Sequence, residues 1–147
     1  MWLIVIHRRG LRFVLLGMEV LAIALQVEIA LRRRPLERVF ADASQARARG
    51  RLASDIAPAT LDRAIRTAYR VLPFEPTCLK HALIFCRVRR RRGLSAELRI
   101  GVQKEDGVFG AHAWVEDGAG NVLTDPLEGF SPLPLRRAST PDQRASD

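Results

Sequence analysis

Cys78, His112 and Asp125 are the side chains whose types could add up to catalysis. A thiol, an imidazole and a carboxylate supply a nucleophile, a general base and a group that orients the base. Acyl transfer is the reaction such a set performs, with the sulfur attacking a carbonyl and the imidazole carrying the proton. Thr77 and Trp114 flank two of the three and are candidates for holding substrate or donating to an oxyanion.

Those residues need elements to position them. Thr77 is a helix-capping residue, followed by "CLKHALIFCRVRRRR" and closed by Gly93. Cys78 is therefore expected at the first position of a helix, where the helix N-terminus and a nearby imidazolium both favour the thiolate, the reactive form. Cys86 lies mid-helix on the apolar face and reads as core packing. Eight residues of helix separate the two sulfurs by roughly 12 Å, too far for a disulfide. Unpaired thiols suit a reducing cytoplasm.

Three strands are expected after this helix: "SAELRIGV", "VFGAHAWVE" and "NVLTD", joined by the turns "KEDG" and "DGAG". If Glu116 faces Asn121 across "DGAG", then Trp114 faces Leu123 and His112 faces Asp125. Directly opposed residues share a face with Cβ atoms about 5 Å apart. A loop of three residues would break this pairing, because a one-residue slip turns a strand's side chains over. A thiolate at a helix start facing a His–Asp pair on a sheet is the papain-type arrangement, on an α+β fold.

Of the other histidines, His81 stands one turn beyond Cys78 and reads as flanking the site or facing solvent. His7 has no visible partner. No second pair at ligand spacing accompanies Cys78 and His81, so neither a metal nor an organic cofactor is expected.

The chain has 147 residues, 48% hydrophobic and 27% charged, the composition of one globular domain. Domain limits are set at 1–137, with a helical extension over about 1–55 and a disordered tail over 138–147. Its net charge is +8, and arginine supplies nearly all of it. Such a surface favours acidic partners. The run Arg89–Arg92 falls in a helix's last turn and reads as offsetting the macrodipole and solvating the end. Nucleic-acid binding is not expected, since aromatics do not interleave with the basic run.

The first helix is expected over residues 11–34, the next from Pro35 to about Arg49, and a third capped by Thr60. Arg12, Glu19, Gln26 and Arg33 recur every seven residues and mark a narrow polar stripe on a broadly apolar helix. Basic residues follow the first apolar run instead of preceding it, the reverse of a signal peptide. Acidic residues interrupt the later run, against a membrane span. The apolar face is left to the core, a partner protein or a membrane surface.

The span from "PFEPTCLKHALIFCRVRRRRG" through "LRIGV" and "AHAWVE" to "LTDP" resembles the transglutaminase-like cysteine peptidases of lasso-peptide biosynthesis, in the form where the leader peptidase stands alone. The resemblance implies Cys78 as nucleophile, His112 as general base and acid, and Asp125 as orienting carboxylate. It implies cleavage of a precursor peptide between leader and core, with the freed amine passed to a separate macrolactam-forming cyclase. Residues 1–72 read as helices without a β-rich winged unit, so a separate leader-recognition protein is expected. The Cys78 backbone N–H is one candidate oxyanion donor. Two other functions fit the same residues: a basic adaptor with an inactive transglutaminase-like fold, and a transglutaminase-type acyl transferase.

Overall fold

The computed structural model describes residues 2–45, 56–105, 107–124 and 130–132. Four helices come first: α1 (Trp2–Arg33), α2 (Leu36–Gln45), α3 (Pro58–Val71) and α4 (Cys78–Arg91). An antiparallel sheet follows, made of β1 (Glu97–Glu105), β2 (Val108–Glu116) and β3 (Ser131–Pro132) in the order β2-β1-β3. The architecture is α+β, as the sequence implies.

Helix α4 lies at the centre. Its Ala82, Leu83, Ile84, Phe85, Cys86 and Val88 are all buried, and it packs on the other three helices and on the sheet. Helix α1 contributes Leu16, Val20, Ile23, Ala24 and Val27 to the same core, and α3 contributes Leu61, Ala64, Ile65 and Ala68. From the sheet come Leu98, Ala113 and Val115, with Ala96 just ahead of β1. Complete burial of a side chain such as Phe85 is worth about 2–3 kcal/mol.

Several boundaries differ from expectation for local reasons. Helix α1 begins at Trp2 and takes in the first apolar run as well. Helix α3 starts at Pro58, not after Thr60, and no side chain caps it. A proline at the first helical position has its φ preset for the helix and brings no orphan N–H of its own, which favours a start there. The predicted end of the second helix near Arg49 and the tail over 138–147 fall outside the described residues.

The third strand is the larger correction. Residues 121–124 do not form a strand. They meet β2 through a single bridge, Glu116 to Val122, and through hydrogen bonds of Leu123 and Thr124 with Val115, and the third strand of the sheet is β3, beside β1. The "DGAG" turn has a three-residue loop, Gly118 to Gly120. Asp117 N–H donates to Asn121 O at 2.9 Å, Gly120 N–H donates to Asp117 O at 3.1 Å, and Gly120 sits at φ 85°. A turn followed by a left-handed glycine is a standard three-residue hairpin connection. The register is therefore one residue off the one expected: Glu116 meets Val122, and Leu123 N–H donates to Val115 O at 2.8 Å. This register is not the one that would set Asp125 opposite His112. Asp125 itself lies outside the described residues.

Candidate active site

Cys78 is the first residue of α4 and is half-buried against the core. Thr77 sits before it in extended conformation (φ −124°, ψ 155°), and its Oγ1 accepts the Lys80 N–H at 3.2 Å. The cap predicted from sequence is thus formed, and it ends the extended chain sharply at the thiol. Backbone N–H groups of the first helical turn have no intrahelical acceptor. One of them belongs to Cys78 itself, beside its sulfur.

The next two residues bind this turn to the other helices. Lys80 Nζ lies 2.8 Å from Glu28 Oε2 on α1 and donates to Glu75 O at 3.1 Å. Arg32 holds the other oxygen of Glu28 at 2.9 Å. The Glu28 carboxyl is kept below its ordinary value, first by the hydrogen bond from Lys80 and then by both positive charges, against the cost of burial. Tyr69 of α3 stands near; burial, with the Glu28 charge adding to it, pushes its phenol up to about 12. His81 Nε2 lies 3.0 Å from Asp62 Oδ1 on α3, its ring stacked on Phe85. Of the two expectations for His81, flanking the site or facing solvent, the second is excluded, for its side chain is 12% exposed.

On the sheet, side chains of β2 alternate between faces. Ala113 and Val115 enter the core, paired with Ile100 and Leu98 of β1. His112, Trp114 and Glu116 take the other face. The His112 ring is 5.2 Å from the Phe130 ring and 6.4 Å from that of Trp114. Phe130 also approaches Gly110, where a Cβ would stand 3.8 Å from the ring. Trp114 is 1% exposed, and its indole N–H donates to Glu116 Oε1 at 2.8 Å. Glu116 in turn accepts from Arg99 at 2.9 Å. The indole donor and the Thr77 hydroxyl are both engaged within the protein.

Among the described residues no hydrogen bond joins the Cys78 thiol to His112. The structure does not bring the two together: His112 is on the sheet face turned away from the core, whereas Cys78 packs against that core. The stretch leading to Asp125 is held against β2, since Thr124 Oγ1 accepts the Val115 N–H at 3.0 Å.

Cys86 is fully buried, 3.5 Å from Ala96 O, and burial pushes its thiol up to about 11. It is the inert cysteine that its position implies. Three of the four arginines at the end of α4 are committed internally instead of solvating the helix. Arg89 donates to Ser95 O at 3.2 Å, Arg90 to Ala96 O at 2.8 Å, and Arg92 pairs with Glu19 of α1. The ties through Glu28, Asp62 and Glu19 are not visible in periodicity. For Glu19 and Glu28 the one signal is an acid inside a long apolar run, which requires a cationic partner somewhere; Asp62 carries no such signal. The side chain of His7 lies outside the described ones.

A family model described as the transglutaminase-like superfamily matches residues 21–134. That span takes in Cys78, His112 and Asp125 together with α4 and the sheet. No curated protein and no solved structure matches the chain.

Proposed function

The chain belongs to the transglutaminase-like superfamily, whose members are cysteine peptidases and acyltransferases, and we propose that it is a cysteine peptidase that removes the leader from a ribosomally made lasso-peptide precursor. The observation that carries this reading is the place of Cys78: a half-buried thiol at the capped first residue of a core helix, ahead of a histidine-bearing strand. Cys78 attacks the scissile carbonyl. The oxyanion that develops is met by the Cys78 backbone N–H, a type of contact worth about 3 kcal/mol to the transition state. His112 takes the thiol proton and returns it to the departing amine; Asp125 is assigned as the orienting carboxylate by the family resemblance alone, since the three-residue loop does not set it opposite His112. Water, activated by His112, then releases the leader from the thioester. A separate recognition protein presents the precursor, and a cyclase consumes the freed core amine. The reading calls for no metal and no organic cofactor.

Incubating the protein with its precursor peptide, with and without a small recognition protein, tests this by mass analysis. Wild type should release leader, while Cys78→Ala and His112→Ala should release none and keep the wild-type circular dichroism. His81→Ala serves as the control, because His81 is also an imidazole beside a carboxylate and lies one turn from the thiol. Loss of cleavage in His81→Ala with retention in His112→Ala would move the base to α4. Products carrying an added amine would indicate transfer instead of hydrolysis.

A further inference from the structure

Helix α1 presents a second surface unrelated to the thiol. From Leu11 to Ile29 the side chains Leu11, Val14, Leu15, Met18, Leu25 and Ile29 are each between 44% and 63% exposed. At 100° per residue they fall on one face, opposite Val20, Ile23, Ala24 and Val27, which are in the core. The stripe is about 27 Å long at 1.5 Å per residue. The segment Gly10–Arg33 is long and apolar enough to cross a membrane, yet only 33% of its most apolar stretch is buried, unlike a helix that belongs wholly to a core.

Crossing is opposed by the other face. Both acids of this segment, Glu19 and Glu28, turn toward the protein and pair with Arg92 and Lys80 of α4. Surrounding the helix with lipid would break both pairs and strip the core. A helix with one face packed on a domain and the other apolar instead lies flat in an interface.

Charge selects what covers the stripe. Its exposed surroundings hold Arg12 near one end and Arg33 at the other, while Arg32 is paired with Glu28 and Arg34 with Asp42, and neither carboxylate of α1 turns toward the stripe. A second copy packed antiparallel on the stripe would bring Arg12 toward the other copy's Arg33, with no carboxylate of the stripe between them. The stripe is also convex and one helix wide, a shape that beds into a fluid surface. We infer that the exposed face of α1 is a docking surface for anionic lipid, on which the protein lies with α1 in the headgroup plane.

Sedimentation of the full chain with vesicles tests the inference. Vesicles of phosphatidylcholine with phosphatidylglycerol should pellet the protein, phosphatidylcholine alone should pellet much less, and added salt should weaken binding. Leu15→Glu/Met18→Glu/Leu25→Glu should lower the partition by roughly tenfold or more, and Arg12→Glu/Arg33→Glu should remove the preference for phosphatidylglycerol. These side chains are exposed, so unchanged circular dichroism is expected of both variants. The inference is overturned if wild type stays in solution with anionic vesicles, if the triple variant pellets like wild type, or if both vesicle types bind equally. A lipid-free dimer that the triple variant dissolves would assign the stripe to self-association and overturn it as well.

Discussion

Two cysteines in one helix have opposite chemical fates. Cys86 is sealed in the core with its thiol raised to about 11, whereas Cys78 is half-buried at the helix tip. Iodoacetamide at pH 8 should therefore alkylate Cys78 and leave Cys86 untouched in the folded protein, as read by peptide mass mapping. Equal labelling would mean that the core opens readily. Glu28 is the residue whose loss should cost most without touching the thiol. Its side chain is 9% exposed and that of Lys80 17%, so removing one partner leaves a largely buried charge. Glu28→Gln should lower unfolding stability by roughly 3 kcal/mol, measured by denaturant titration. Its pH signature has a definite sign. Because the folded protein holds this carboxyl below its ordinary 4.5, the pair contributes fully above that value and is lost as pH falls through the lowered one. Wild type should lose more stability than Glu28→Gln between neutral pH and about pH 3, and parallel curves would refute it.

Elements with local signals were legible. Thr77 followed by an apolar helix predicted both the cap and the position of Cys78, since capping is decided within four residues. Thr77→Ala should destabilise the protein by about 1 kcal/mol, and Thr77→Ser should restore most of the loss in thermal melts. Strand β2 came out over Val108–Glu116 as its alternation implied. The register across the following turn did not, because a two-residue and a three-residue loop can be written with the same "DGAG". What separates them is which glycine goes left-handed, and Gly120 does so at φ 85°. No atom crowds a Cβ built there, so Gly120→Ala isolates the backbone strain, about 1 kcal/mol. Ion pairs from α4 to α1 and α3 were invisible for a different reason. Periodicity reports which face of a helix is apolar, not which distant charge will meet an acid on it.

At the scale of the whole molecule, one helix is the hub. Every other helix and the sheet lean on α4, so composition and patterning were enough to give the α+β class while leaving the packing order open. The heptad of polar residues in α1 showed the same gap. It groups Glu19 with Gln26 as one stripe, yet Glu19 pairs inward with Arg92 while Gln26 is exposed.

The bond between Glu19 and Arg92 closes a loop of 73 residues. During synthesis α1 leaves the ribosome long before the helix that will cover its inner side exists. For that interval both sides of a long greasy rod are open to water. The nascent chain is then at its most sticky, and a holdase-type chaperone or an early surface to rest on would guard it until α4 arrives.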